Sequence, residues 1–225
     1  MEESRLLQEL KAILDESKKR GIAIFVIGAF CVKAYDSLIR ESHDLDLAVA
    51  GDSFEKLEQL LKDLGFSVHP KNIWVAAQKQ IGDEQIDVHI AVDEILDLNS
   101  QNSFPVRHEK AVLLTSNQLG FEIPALSLHG LLITKLISFR ENDIIDVVSI
   151  LMAKTDELDS QELFRKALES NNHQSVKRRL NELREFFESG EIDAIWYIWL
   201  RRMLPIEIKA TLLGKINKLL KPFTD

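Results

Sequence analysis

The chain has 225 residues, a length that fits one large domain or two small ones. Hydrophobic residues make up 45% and charged residues 28%, which is ordinary for a globular protein. The net charge of −8 argues against broad, nonspecific nucleic-acid binding. No apolar run approaches the roughly 18 residues of a membrane span. Because Cys31 is the single cysteine, no internal disulfide can form, and we expect a cytoplasmic protein without a membrane partner.

Helical and strand-like patterns alternate in the first half of the chain. Apolar positions at helical spacing predict a first helix, and the apolar run that follows Gly21 predicts a buried strand. Helices are predicted at residues 4–19, 28–35 and 54–64. Strands are predicted at residues 22–27, 45–50, 66–69, 73–80 and 85–92. Gly82 and Asp83 lie between the last two strands, so those strands are expected to form a hairpin.

Helical periodicity dominates after about residue 125. A long helical pattern covers 126–151. Further candidate helices lie at 161–168, 175–187, 192–203 and 206–220. We therefore predict an α+β protein, with an N-terminal α/β domain over residues 1–125 and a helical C-terminal domain over residues 126–225.

Two aspartates on one predicted strand are the most informative feature. Strand side chains alternate between faces, so Asp44 and Asp46 project from one face, roughly 6–7 Å apart along the chain. Adjacent carboxylates repel each other and are stable together mainly when a cation lies between them. Hard oxygen ligands on a rigid strand favour Mg²⁺, which commonly also binds the phosphates of a substrate.

A third carboxylate lies on a later predicted strand. Asp87 and His89 share one face of the strand at 85–92. If this strand lies beside the one that carries Asp44 and Asp46, the three carboxylates converge, as in sites where divalent ions assist displacement at phosphorus. The alternative is that Asp87 faces solvent on a half-exposed strand. His89 is a candidate for a substrate contact.

Gly28 lies where a predicted strand passes into a helix. A missing side chain at such a junction lets backbone N–H groups approach a phosphate. The alternative is a simple turn. The position of Gly28 before the aspartate pair favours the phosphate-binding interpretation.

Charged residues also lie on the long helical pattern. At 100° per residue, Lys135, Asp143 and Asp146 share one face, and Arg140 lies at its edge. Buried charges are rare unless they are paired, so one interpretation is an internal ion-pair network. In the other, the lysine reaches a triphosphate and an aspartate acts as a base or positions the reactants. We expect the second, with Lys135 in an open, solvated cleft.

The order of these motifs resembles that of the DNA polymerase β-like nucleotidyltransferase superfamily over roughly residues 20–152. The matching positions are Gly28-Ala29, Arg40, Asp44-Leu45-Asp46 and Asp87. The helix face that carries the lysine is similar to the abortive-infection toxin branch of that superfamily. Its matching positions are Lys135, Arg140, Asp143 and Asp146.

The resemblance implies a mixed β-sheet with flanking helices and transfer of a nucleotide from a nucleoside triphosphate to a hydroxyl acceptor. The acceptor would be tRNA, a protein or a small molecule, and a toxin would have an antitoxin-type partner. The implied Mg²⁺ ligands, with Mn²⁺ as a possible substitute, are Asp44, Asp46 and Asp87. The implied nucleotide contacts are Gly28, Ala29, Arg40 and Lys135. Catalytic roles are implied for the three metal ligands together with Lys135 and Asp143.

Two alternatives to an enzyme stay open. Ala29 stands where the superfamily usually has a second glycine or a serine, and Asn142 stands where a basic residue is common. These departures favour a catalytically silent nucleotide-binding module that regulates a partner. A purely structural or interaction protein is the other alternative. Retention of three mutually repelling carboxylates favours the enzyme.

Overall fold

The computed structural model describes residues 2–37, 40–71, 74–97, 101–107, 109–117 and 119–223. The chain folds into two compact units. The first comprises Met1–Asp36, Glu41–Leu96 and Pro105–Ser127. The second comprises Ser37–Arg40, Asp97–Phe104 and Leu128–Asp225. No helix in the described ranges is both long enough and apolar enough to cross a membrane.

The described residues form nine strands. In chain order they are β1 (Ile24–Val26), β2 (Asp44–Val49), β3 (Ser67–Pro70), β4 (Val75–Ile81), β5 (Glu84–Val92), β6 (Glu94–Leu96), β7 (Ser103–Pro105), β8 (Val112–Thr115) and β9 (Glu122–Ala125). Seven of them make one sheet in the order β3-β4-β5-β2-β1-β9-β8. β2 runs parallel to β5 and antiparallel to β1, so the sheet is mixed, as the resemblance implied.

Three helices belong to the first unit and six to the second, within the part of the chain that the structure describes. The first three are α1 (Glu2–Arg20), α2 (Gly28–Ala34) and α3 (Gly51–Asp63). The other six are α4 (Leu128–Ser138), α5 (Glu141–Lys154), α6 (Ser160–Glu169), α7 (His173–Ser189), α8 (Glu191–Leu200) and α9 (Ile206–Leu220). Short 3₁₀ turns lie at Thr155–Glu157 and Lys221–Phe223. The predicted α+β class, with a helical C-terminal region, is confirmed.

The two faces of β2 have opposite characters. Leu45 and Leu47 are fully buried on one face, and the other face carries Asp44 and Asp46. Because β2 pairs with β1 on one side and β5 on the other, the two carboxylates cannot turn into the core without moving the leucines out of it. The core therefore determines which way the aspartates point.

The long helix predicted over 126–151 is wrong, because the chain leaves helical geometry between α4 and α5. Phe139 has a φ of 50°, in the left-handed region that ends helices. Asp143 then accepts a hydrogen bond from the backbone N–H of Arg140 at 3.3 Å and so satisfies a free donor at the start of α5. Lys135 and Asp143 consequently lie on different helices.

The strands from β6 to β9 were not predicted, since they are short and lack a regular alternation of apolar and polar residues. The predicted strand over 73–80 begins at Val75 in the structure. Its first predicted residue, Ile73, lies outside the described residues.

Candidate functional site

Asp44, Asp46 and His89 form one group on the sheet, here called the carboxylate–histidine cluster. β2 carries the two aspartates, and β5 places His89 opposite Asp46. The ligand atoms of the three side chains all lie within 4.8 Å of one another. Nδ1 of His89 lies 3.4 Å from Oδ2 of Asp44 and 3.3 Å from Oδ1 of Asp46. All three side chains are partly exposed, so a solute can reach the cluster.

Neighbouring side chains restrict the orientation of the cluster. The Trp74 ring meets the His89 ring edge to face, with the ring centroids 4.5 Å apart. The Ser42 hydroxyl donates a hydrogen bond to Oδ1 of Asp44 at 3.3 Å. These contacts favour one arrangement of the imidazole and of the first carboxylate before any ligand binds.

The carboxylates around His89 favour its charged form. The hydrogen bond to Asp46 raises the pKa of His89, burial opposes that effect, and the charges of Asp46, Asp44 and Asp87 add to it. A protonated imidazole between two carboxylates reduces their mutual repulsion. In the metal-free protein the protonated His89 therefore supplies a positive charge beside Asp44 and Asp46.

The donor set of the cluster fits a divalent cation. Carboxylate oxygens suit Mg²⁺ and Mn²⁺, and an imidazole nitrogen suits transition metals. Two ligands on opposite sides of an ion at about 2.1 Å are about 4.2 Å apart, which is close to the observed spread of the ligand atoms. His89 would have to release its proton before it could bind a metal.

Asp87 does not join the cluster, although the expected strand pairing is present. Asp87 lies opposite Asp44 in the parallel register. Its Oδ1, however, accepts hydrogen bonds from the side-chain amides of Gln78 and Gln85, each at 2.8 Å. His89, two residues further along the same face, provides the third ligand atom instead. A metal-binding role for Asp87 stays a prediction.

Gly28 touches the cluster through Asp46. Its φ is +62°, and a Cβ built there would lie 2.0 Å from Oδ2 and 2.8 Å from Cβ of Asp46. Only glycine permits both this backbone conformation and this close approach. Ala29, the next residue, is buried. The predicted role of Gly28 and Ala29 in phosphate binding is untested, but the structure adds a reason for Gly28 that the sequence did not indicate.

A second group, here called the lysine cluster, lies in the second unit. It contains Lys135, Asp143, Asp146, Arg40 and Arg140. The ammonium of Lys135 lies 3.0 Å from Oδ1 of Asp143 and 2.8 Å from Oδ2 of Asp146. Arg40 binds Asp146 through Nε and Nη2, each at 2.8 Å, and Nε of Arg140 lies 2.8 Å from Oδ2 of Asp143. Three cations therefore surround two carboxylates.

The expectation that Lys135 lies in an open, solvated setting is wrong. Lys135 is 6% exposed, and Asp143 and Asp146 are 1% and 0% exposed. Burial opposes the charge of Lys135, but the carboxylates of Asp146 and Asp143 outweigh it and raise the pKa of Lys135. Burial likewise opposes ionisation of Asp143, but Lys135 and Arg140 outweigh it and lower the pKa of that carboxyl. The internal ion-pair interpretation describes this geometry.

Sequence reasoning identified His89 only as a possible substrate contact, and it missed Trp74 and Gln78. Because side chains alternate along a strand, Asp87 and His89 lie on the same face, and both could have been named as candidates for the third metal ligand. The choice between them depends on register and on the glutamines, neither of which the sequence displays.

We expect the stabilisation that His89 gives to the metal-free protein to depend on pH. Since its pKa is raised in the folded state, its contribution is fully present below the unfolded value of about 6.5 and is lost as pH rises through the folded value. Chemical denaturation at a series of pH values should show that His89→Asn costs more stability at pH 5.5 than at pH 8.5. In an Asp46→Asn background this pH dependence should shrink. A pH-independent cost would reflect only the lost packing on Trp74.

Replacing Gly28 with alanine should destabilise the fold by more than backbone strain alone. Gly82 is a matched control, because its φ is +61° and nothing lies within 4 Å of a Cβ built there. Gly82→Ala should cost only strain, about 1 kcal/mol. Gly28→Ala should cost roughly 1–3 kcal/mol more, because the methyl group overlaps Asp46. Equal unfolding free energies for the two variants would contradict this assignment.

Lys135→Met should strongly destabilise the metal-free, nucleotide-free protein. It leaves buried carboxylates without their shared cation, a change that costs about 3–5 kcal/mol. Lys154→Met on the same helix as Asp143 removes a surface pair with Glu157 and should cost at most about 1 kcal/mol. Denaturant titration of both variants measures the difference. A small loss for Lys135→Met would favour an open setting for this lysine.

Solved structures of antibiotic-modifying nucleotidyltransferases resemble the chain. The solution structure of the antibiotic-resistance factor ANT(2'')-Ia is 16% identical, with a TM-score of 0.45 over 85% of this chain and 97% of that one. Its crystal structure with adenylyl-2''-tobramycin gives 16% identity and a TM-score of 0.44 over 80% and 98%. The lincomycin-bound lincosamide antibiotic adenylyltransferase LnuA gives 18% identity and a TM-score of 0.45 over 64% and 94%. No curated protein matches the chain significantly.

The family assignment comes from the sequence. The sequence model described as aminoglycoside-2''-adenylyltransferase matches residues 9–164, which is more than half of the 225 residues. The resemblance to nucleotidyltransferases is thereby confirmed, whereas its abortive-infection toxin branch stays a prediction. The match spans β2, β5, α4 and α5, and so includes both clusters. The chain therefore belongs to the aminoglycoside-2''-adenylyltransferase family and is a nucleotidyltransferase.

Proposed function

We propose that this protein transfers a nucleotide, most simply the adenylyl group of ATP, to a hydroxyl group of a small cationic molecule. The observation that carries the proposal is the convergence of Asp44, Asp46 and His89 on two paired strands. Such a mixed set of carboxylate and imidazole donors, partly exposed on a rigid sheet, suits a divalent ion, which would offset the charge of a bound triphosphate. Family membership supplies the reaction class.

In this proposal the carboxylate–histidine cluster holds the metal ion that assists nucleotide transfer. The acceptor oxygen forms a bond to the α-phosphorus while the bond from phosphorus to the pyrophosphate oxygen breaks, and the hydroxyl proton passes to a base. Mg²⁺ or Mn²⁺, when bound, would offset the charge of the phosphates. Asp44 and Asp46 would hold it, with His89 or Asp87 as a further ligand. Gly28 keeps the Asp46 carboxylate against the backbone, which limits where it can point.

The lysine cluster contributes to nucleotide binding through its charge. Lys135, Arg40 and Arg140 are cationic groups of the kind that bind phosphates. Because both carboxylates are buried and ion-paired, we assign Asp143 and Lys135 to positioning rather than to proton transfer. Arg140, whose side chain is 59% exposed, is the accessible cation of the cluster, whereas the side chain of Arg40 is 10% exposed.

A small cationic acceptor agrees with the charge of the protein. The net charge of −8 attracts polycationic solutes and repels nucleic acids such as tRNA. The family description names aminoglycosides, which are polycationic. Two of the similar structures contain antibiotics, one adenylyl-2''-tobramycin and the other lincomycin. A toxin that modifies tRNA or a protein, with an antitoxin partner, is the competing assignment from the sequence.

The decisive test is a transfer assay with purified protein, Mg²⁺ or Mn²⁺, and each α-labelled nucleoside triphosphate. The acceptors are tobramycin, lincomycin, bulk tRNA and a protein extract, with products separated by chromatography. We expect label from ATP on tobramycin. Asp44→Asn with Asp46→Asn should reduce transfer at least about a hundredfold, since metal stabilisation of the transition state is worth several kcal/mol. Asp83→Asn, in the exposed β4–β5 turn, is the control for the loss of a carboxylate and should leave the rate of transfer unchanged.

Thermal denaturation separates an enzyme from a silent nucleotide-binding module. Binding to the native state alone stabilises by about 2.7 kcal/mol at a ligand concentration of 100 Kd. A rise in melting temperature with Mg²⁺ and ATP, but no label on any acceptor, would favour the silent module that Ala29 suggests. Label on tRNA or protein alone would favour the toxin. Absence of both shift and transfer would overturn the proposed function.

A further inference from the structure

We propose that two copies of this chain pair through α8, with the two α8 helices antiparallel about a twofold axis. The contact surface, here called the α8 patch, consists of Tyr197, Ile198, Trp199, Met203 and Ile206, which are 50%, 52%, 41%, 62% and 74% exposed. Five of the ten exposed large apolar side chains in the described ranges therefore lie within ten consecutive residues. Single exposed apolar residues are ordinary, whereas a group of them indicates an interaction surface. The patch lies in the second unit, and the inference does not depend on the proposed function.

The outer face of α8 is apolar along most of its length. Ile192 and Trp196 are buried and attach the helix to the second unit. Glu191, Ala194 and Ile198 are exposed, and their spacing of three and four residues places them in one stripe. A surface helix normally has polar residues on its solvent face, but this stripe carries a charge only where the helix begins. The stripe therefore has the character of a face that another helix covers.

The charges at the two ends of α8 favour a second copy of the chain as the partner. Glu191 begins the helix, and Arg201 and Arg202 directly follow its last residue, Leu200. All three charged side chains are exposed, and none makes an ion pair with a described residue. In an antiparallel pair, the acidic start of each helix lies beside the basic end of the other, and the two helix dipoles are also complementary. One helix thus supplies both halves of a charge-complementary contact.

The spacing of these residues fits a symmetric pair. Glu191 and Arg201 are separated by about 15 Å along the helix, at a rise of about 1.5 Å per residue. A twofold axis at the level of Trp196, midway between them, brings both charge contacts together at once. The same axis places Ala194 of each copy opposite Ile198 of the other, and the small alanine allows the helix axes to approach to about 8–10 Å. Because a twofold contact uses the same surface on both copies, the assembly closes as a dimer.

The rest of the α8 patch suits the core of such an interface. Tyrosine, tryptophan, methionine and arginine are the residue types that interfaces concentrate. The Nε1 of Trp199 donates a hydrogen bond to Glu141 at 3.2 Å, which restricts the indole before any partner arrives. Met203 and Ile206 lie beyond the end of the helix and widen the contact towards the roughly 800 Å² per partner of stable interfaces.

The test measures the mass of the full chain in solution by sedimentation equilibrium, without nucleotide or metal. Interfaces of standard size have dissociation constants of about 1 μM or lower, so a concentration series that extends to about 100 μM covers the expected range. We expect a monomer–dimer equilibrium whose upper limit is twice the chain mass of 25.7 kDa. Ile198→Glu should raise the dissociation constant at least about tenfold, because it places two carboxylates in an apolar contact. Leu168→Glu on α6 is the matched control, since Leu168 is also 52% exposed, and it should leave the constant unchanged.

Charge reversal tests the antiparallel orientation. Glu191→Arg alone, or Arg201→Glu together with Arg202→Glu, sets like charges against each other at both symmetric contacts and should raise the dissociation constant at least about tenfold. All three substitutions in one chain restore opposite charges and should return the constant to within about threefold of the wild-type value. Lys56→Glu with Lys110→Glu changes the net charge as much as reversal of the two arginines does, but in the first unit, and should have no effect.

Defined results would overturn the inference. A wild-type chain that stays monomeric throughout the concentration series does so, and so does one that associates beyond two copies, because a twofold contact closes. A dimer that Ile198→Glu leaves intact would use another surface. If the triple charge-reversal variant is folded by circular dichroism but stays monomeric, the helices do not pair in antiparallel orientation. Since none of these readouts requires catalysis, they are independent of the transfer assay.

Discussion

Electrostatic repulsion between two carboxylates on β2 is the constraint around which the first unit is organised. Asp44 and Asp46 must share a face because Leu45 and Leu47 fill the core on the other. The parallel pairing with β5 then brings His89 beside them. The apo protein reduces the repulsion with a histidine that favours its charged form, and a metal ion would replace that charge when substrate binds. The repulsion between the two aspartates is thus offset by His89 in the metal-free protein and would be offset by the metal ion in the substrate complex.

In the second unit the carboxylates are buried instead of exposed. Asp143 and Asp146 are almost completely buried, so solvent cannot screen their charge. Lys135 and the two arginines satisfy them, which ties α4 and α5 to residue Arg40. Such a network contributes little net stability compared with an apolar core, but losing a single member is costly. Its value lies in fixing the positions of the helices that carry it.

The sequence contained enough information for the alternating elements of the first unit and for most helices of the second. Periods of 2 and 3.6 residues are local properties, and the burial of Leu45 and Leu47 followed from one of them. The register of β2 against β5 is not local, and neither is the hydrogen bond from Gln78 on β4 to Asp87; together they decide that His89 rather than Asp87 meets the aspartate pair. The break at Phe139 also escaped prediction, since neither glycine nor proline marks it. The burial of Lys135 escaped because helical periodicity shows which residues share a face, but not what covers that face.

The contact between Gly28 and Asp46 has a consequence for the mutational history and the engineering of this protein. Because any side chain at residue 28 would overlap the carboxylate at residue 46, the fitness of a change at either position depends on the other. The two positions form an epistatic pair that lies far apart in sequence and on different elements. A library that varies residue 46 while keeping Gly28 samples new ligand sets, whereas one that varies residue 28 first would mostly sample destabilised chains.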